Sequence, residues 1–156
     1  LVALKPKLIK PFPVAYAMVR IEVSQEINAS IEKVWKIVSD IDNEPKYWHG
    51  TKSVKNLNVS GNTITREVII AFKNSKCMET VVLNPMKSIE VNITEGPMKG
   101  SKIITLNNAD DKTKVDVVWD IKLSGMMSMF TGMVKGHIEQ GTKDALERIS
   151  VDSEKN

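Results

Sequence analysis

Cysteine occurs once in the 156 residues, at Cys77, and histidine twice, at His49 and His137. A single thiol excludes an internal disulfide and a multi-cysteine metal site. It fits a reducing intracellular setting, and a cytoplasmic location is expected. Neither histidine has a ligand set beside it. His137 and Glu139 stand two residues apart, a spacing that points them in different directions on a helix, so no metal is expected. No cofactor is expected either, since the stretch G-T-K-S at 50–53 lacks the glycine spacing of a phosphate loop. A nucleophile elbow and a paired-carboxylate motif are also missing; Asp110-Asp111 reads as a hairpin turn. Net charge is only +3, and no dense Arg/Lys block is interleaved with aromatics, so there is no specific nucleic-acid signal. No apolar run reaches 18 residues, which argues against a transmembrane segment.

What is present is an ordinary soluble composition, 42% hydrophobic and 26% charged, enough to build one core without staples. Residues 1–14 carry Lys5, Lys7 and Lys10 among apolar residues interrupted by Pro6, Pro11 and Pro13. They are expected to form an irregular arm, with a membrane-touching or partner-binding tail as the functional alternative. Residues 15–152 are expected to form a single domain, and 153–156 a frayed end.

Within that domain Val19, Ile21 and Val23 alternate with Arg20, Glu22 and Ser24, the period of a strand with one apolar face. Ser30 reads as the N-cap of a short helix carrying Ile31, Val34, Trp35 and Val38. Asp42 is expected to cap a second short helix over 43–47, with Pro45 in its first turn. Strand-like runs follow at 52–59, 62–72, 75–84, 87–94, 101–107 and 112–123, separated by short connections that favour an antiparallel meander. Residues 125–153 read as one amphipathic helix with the stripe Phe130, Val134, Ile138, Gly141, Ala145 and Ile149. The two apolar surfaces are covered most simply by laying this helix across the sheet. The expected fold class is therefore α+β, about seven antiparallel strands curved around a long C-terminal helix, with two short helices after the first strand.

The segment I-N-A-S-I-E-K-V-W-K-I-V-S-D-I-D-N-E-P-K-Y-W at 27–48 carries Ser30 before the helix, Trp35 inside it, Asp40 at its end, and the Pro45/Tyr47/Trp48 group. With the element order, it resembles the START-related superfamily over residues 16–149. That superfamily includes polyketide cyclase/dehydrase-like and coenzyme-Q-binding proteins, the birch-pollen-allergen fold and chaperone-ATPase-activator relatives. The resemblance implies a helix-grip arrangement and, often, an apolar cavity. The glycine-rich loop of the allergen branch would fall at 56–63, where only Gly61 stands.

Four of the eight methionines, Met126, Met127, Met129 and Met133, cluster around Phe130. Methionine suits an irregular apolar pocket or a repacking surface, so Met126, Met129, Phe130 and Met133 are candidate wall or mouth residues. Gly132, Gly136 and Gly141 weaken the helix, by roughly 1 kcal/mol each, and suggest close approach by a ligand, bulky side chains or another chain. Trp119 shares a strand face with Val115, Val117, Ile121 and Leu123, as core or cavity wall. Arg66 alternates with Ile64, Val68 and Ile70, and Glu79 with Cys77, Val81 and Leu83. A charge on an apolar strand face needs a partner when buried. Arg66 and Glu79 are therefore candidate orienting groups, joined only if strand curvature or an end position brings them together.

Three functional readings follow. The leading one is non-covalent binding or transport of an apolar small molecule, a lipid, isoprenoid or polyketide-like compound, between sheet and helix. The second is a cyclase or dehydratase-like enzyme using the same cavity. The third is a protein-interaction or chaperone-regulator module with a filled interior. A peripheral membrane contact and a homodimer are the remaining partner readings.

Overall fold

The computed structural model describes residues 16–155; the arm expected at 1–14 and residue 156 lie outside the described residues. Strand β1 (Tyr16–Ile27) leads into helix α1 (Ile31–Val38), a 3-10 turn (Ile41–Asn43) and helix α2 (Glu44–Tyr47). Then come β2 (Thr51–Ser60), β3 (Thr63–Ile70), β4 (Lys76–Asn84), β5 (Ser88–Glu95), β6 (Met98–Ala109) and β7 (Lys112–Ser124), followed by α3 (Met126–Met129) and α4 (Thr131–Glu154). The strands form one antiparallel sheet in the order β1-β7-β6-β5-β4-β3-β2. Short turns make each strand from β2 to β7 the neighbour of the next. The first and last strands then meet in register along β1, from Tyr16 opposite Ser124 to Ile27 opposite Thr113. This is the expected α+β helix-grip fold.

Alternation decides which face is inside. Val19, Ile21, Val23 and Ile27 of β1 and Val115, Val117, Trp119, Ile121 and Leu123 of β7 are buried on one face. The intervening Arg20, Glu22 and Asp120 are tied together on the other face. The edge strand β2 buries none of its residues; irregularities at 51–53 and 56–58 bend it, which also disfavours edge-to-edge pairing.

Ser30 caps α1 as expected, its hydroxyl accepting from the Lys33 amide. Asp42 does not cap α2: it lies within the preceding 3-10 turn, and its carboxylate accepts from the Asn56 side chain at 2.9 Å. The long helix also differs from the expected single rod. Gly125, at φ +59°, stands outside it as the N-cap of α3, and the non-helical Phe130 breaks it into α3 and α4. Only Val134 is buried between Thr131 and Gln140, whereas Thr142, Ala145, Leu146, Ile149, Ser150 and Ser153 are buried farther along. The expected stripe therefore holds from Val134 onward but not at Phe130, which is exposed. Side chains added at Gly132, Gly136 or Gly141 would meet nothing within 4 Å, so these glycines do not mark close approach. Helix α4 continues through Glu154, whose carboxylate accepts from the Asn28 amide and the Ser150 hydroxyl.

Tyr47 joins α2 to α4 by donating to Asp152 at 2.7 Å. That hydrogen bond, with those from Lys155 and Lys46, holds the pKa of the Asp152 carboxyl at about 2. A depressed carboxyl favours the fold above its unfolded value, and the benefit fades as pH falls toward about 2. In Tyr47→Phe, carboxyl NMR titration is expected to show the Asp152 midpoint moving up toward its ordinary value. An unchanged midpoint would assign the depression to the lysines alone.

Candidate functional site

The concave face of the sheet carries a buried ionic network under α2 and α4. Arg66 on β3 stands directly opposite Glu79 on β4. Their pairing needs no strand end or unusual curvature, contrary to the condition inferred from the sequence. Both lie on the inner face because Arg66 alternates in phase with Ile64, Val68 and Ile70, and Glu79 with Cys77 and Val81. Arg66 is wholly buried. Its Nε donates to Glu79 Oε1 at 2.7 Å, Nη1 to the Ile41 carbonyl at 2.8 Å, and Nη2 to Glu44 Oε1 at 2.5 Å. The other oxygen of Glu44 accepts from the Thr51 hydroxyl at 2.7 Å. One guanidinium thus ties two adjacent strands to the 3-10 turn and α2, the geometry to which a rigid fork of donors is suited.

Lys102 on β6 is the second inward cation. It shares its face with Ile104 and Leu106 and is 5% exposed. Its ammonium lies over the Trp48 ring, 3.3 Å from the centroid, and 4.9 Å from that of Trp119. The two indoles meet edge to face at 6.4 Å. Trp119 is held by donating Nε1 to Thr142 Oγ1 at 3.1 Å, and the Thr142 hydroxyl donates to the Ile138 carbonyl. Helix α4 therefore fixes the aromatic wall.

The charges divide the protonation states. Burial pushes the Glu44 carboxyl up, but the Lys102 and Arg66 charges and the bonds from Thr51 and Arg66 outweigh it and hold the group below its ordinary value. Glu79 goes the other way: burial and the Glu44 charge raise it despite Arg66. Burial lowers Lys102, with Glu44 and Glu79 opposing and Arg66 adding to the effect. Glu44 is the settled anion, Glu79 the carboxyl displaced toward its protonated form, and Lys102 the amine displaced toward neutrality.

A cavity of about 20 Å³ lies among these groups, lined on its polar side by Glu44, Arg66 and Lys102 and on its apolar side by Trp48, Val81, Val91, Ile104 and Ile149 among others. That is room for about one water. Of the residues singled out from sequence, Arg66 lines this cavity, Glu79 reaches it only through its bond to Arg66, and Trp119 stands behind Trp48 and Lys102. Met126, Met129, Phe130 and Met133 do not line it: they are 46%, 74%, 46% and 57% exposed at the α3–α4 junction, where only Met127 turns inward. Glu44, Trp48 and Lys102 were missed. Lys102 had the signal already applied to Glu79, a charge in phase with apolar residues on one strand. Glu44 and Trp48 had none, because short helices and turns lack a long period. Among the described residues no cluster of His, Cys, Asp and Glu could hold a metal, and no helix is long and apolar enough to cross a membrane.

Comparison with known proteins agrees with this architecture. The family model described as polyketide cyclase/dehydrase and lipid transport matches residues 18–150. An aromatase/cyclase from Streptomyces sp. R1128 superposes with a TM-score of 0.75 at 16% identity, covering 88% of this chain and 94% of that one. A Thermus thermophilus protein gives 0.75 at 11% identity, with 86% and 97% covered. A START superfamily protein from Mycobacterium smegmatis gives 0.64 at 16% identity, with 83% and 98% covered. At these identities the likeness is one of fold. No curated protein matches the sequence.

Proposed function

Because the chain belongs to the polyketide cyclase/dehydrase and lipid-transport family, we propose that it binds an apolar small molecule non-covalently between the concave sheet face and α4. The observation that carries this reading is the polar end of an apolar interior: Arg66, Glu44, Lys102 and Asp40 border a cavity whose apolar lining includes Trp48, Val81, Val91, Ile104 and Ile149. Apolar burial at about 25 cal/mol per Å² supplies the affinity, and the few charged groups set orientation. A lipid, isoprenoid or polyketide-like compound carrying one oxygen function suits this division. Arg66 and Glu79 orient it, and Trp119 forms the wall.

The cavity has room for about one water, so a ligand enters by displacing structure. The segment from α3 to Gln140 buries only Met127 and Val134, and weakly anchored segments open at the lowest cost. Met126, Met129, Phe130 and Met133 form the mouth in this reading, and at a bilayer surface they meet acyl chains. A cytoplasmic protein loading at a membrane fits that arrangement. The displaced ionisations of Glu79 and Lys102 favour a second reading, a cyclase or dehydratase-like reaction in the same space.

Titration with decanol, read by tryptophan fluorescence and native mass spectrometry, tests the binding reading. We expect saturable one-to-one binding with a spectral change that Trp119→Phe diminishes. A protein that carries no apolar compound and takes up no decanol would overturn it.

A further inference from the structure

Lys102 is the inward charge that acts on Glu44 and Glu79 through space, without a direct ion pair. Both carboxylates of the cluster are engaged by Arg66, at 2.5 and 2.7 Å. Among the described residues Lys102 forms no ion pair or hydrogen bond of its own; its contacts are the faces of Trp48 and Trp119. A lysine placed for packing gains nothing from an amine in an apolar wall, where methionine would fill the same space without losing hydration. A lysine paired for structure would have a carboxylate against it. Lys102 has no carboxylate within ion-pair distance, and its side chain sits against both indoles in a residue that lines the cavity.

We propose that Lys102 is a carbonyl-capturing amine, which forms an imine with an apolar aldehyde or ketone held between the sheet and α4. This rests on the apolar-ligand reading above and adds a covalent step. The nitrogen lone pair attacks the carbonyl carbon, forming a C–N bond, and the carbonyl oxygen takes up the proton released from nitrogen. The resulting carbinolamine hydroxyl leaves as water with one proton from solvent. The nitrogen lone pair forms the C=N bond, and the iminium returns that proton. No oxidant or reductant is needed, and water is the only other product.

Three features favour the step. Burial displaces the amine toward the neutral nucleophile. The groups facing it from other elements are Glu44 on α2, Arg66 on β3 and Glu79 on β4, of which Arg66 reinforces that displacement and the two carboxylates limit it. The indoles of Trp48 and Trp119 provide flat apolar surfaces beside the nitrogen, suited to the chain or ring attached to a carbonyl. Enclosure also slows hydrolysis of the imine by keeping bulk water away.

The test treats the full chain with decanal and cyanoborohydride at neutral pH, which turns an imine into a stable secondary amine. Intact mass and peptide mapping locate the decyl group, and a parallel decanol titration reads pocket entry alone. Modification is expected at Lys102 before any surface lysine, and no such early product in Lys102→Met. The wild-type peptide map stands by itself if that variant fails to fold. Decanol binding with decyl groups spread over surface lysines and Lys102 unmodified would overturn the imine and leave the binding reading intact. Failure of decanol to bind, with Lys102 unmodified, would overturn both.

Discussion

Arg66→Met is expected to lower unfolding free energy by about 3–5 kcal/mol, because it removes one member of a buried, hydrogen-bonded charge network and leaves two carboxylates behind. At about 2–4 °C per kcal/mol for a chain of this size, the melting temperature falls by roughly 6–20 °C. The mechanism predicts a pH signature. Without the guanidinium, Glu79 is pushed further toward its protonated form by burial and the Glu44 charge, and Glu44 keeps Lys102 but loses one of the two cations that hold it ionised. Raised folded-state carboxyl values mean a cost that is present at neutral pH and shrinks as pH falls and the groups are protonated. Urea titrations of wild type and variant should therefore converge toward acid. A compensating quadruple variant, Arg66→Met with Glu79→Leu, Glu44→Gln and Lys102→Met, should recover much of the loss, since replacing a whole buried network is often near neutral. If the quadruple variant is no more stable than the single one, Arg66 acts through packing and its bond to the Ile41 carbonyl, not through stranded charge.

Gly100→Ala should be nearly as damaging, for a reason unrelated to charge. Gly100 lies in β6 opposite both Ile93 of β5 and Ile121 of β7, with φ at +131°. An added Cβ would press on the Asp120 carbonyl oxygen and lie 2.9 Å from Ile121 Cα. Neither backbone atom can retreat without opening the β6–β7 ladder next to Lys102 and Trp119. Unfavourable backbone geometry costs about 1–3 kcal/mol, and overpacking a similar amount, so a loss of about 2–6 kcal/mol is expected. Gly61→Ala is the matched control. Its φ is +59°, but an added Cβ meets nothing within 4 Å, so only the left-handed penalty of about 1–2 kcal/mol applies. Chemical denaturation of the two variants separates crowding from conformational strain; equal losses would exclude the clash.

The fold was legible because its signals are local and periodic. Alternation of Val19, Ile21 and Val23, and of the residues around Trp119, assigned strands and their inner faces. Ser30 marked a helix start, and short connections allowed little except a meander. Both members of the inner ion pair were visible in the same way: Arg66 and Glu79 each sat in phase with buried apolar residues, so each needed a partner inside.

Other features depended on distances that no local pattern carries. Register placed Arg66 directly opposite Glu79, and chain packing brought Glu44 against the same guanidinium from 22 residues away. Met129 and Phe130 looked like lining because methionine and phenylalanine are as apolar outside as inside. The break at Phe130 turned them to the surface, and only neighbouring atoms could set that direction. Lys102 stood in phase with Ile104 and Leu106, but only packing shows that Trp48 and Trp119 lie against it. Residue order specifies which side chains share a face; dehydration of a particular charge depends on what the rest of the chain packs against that face.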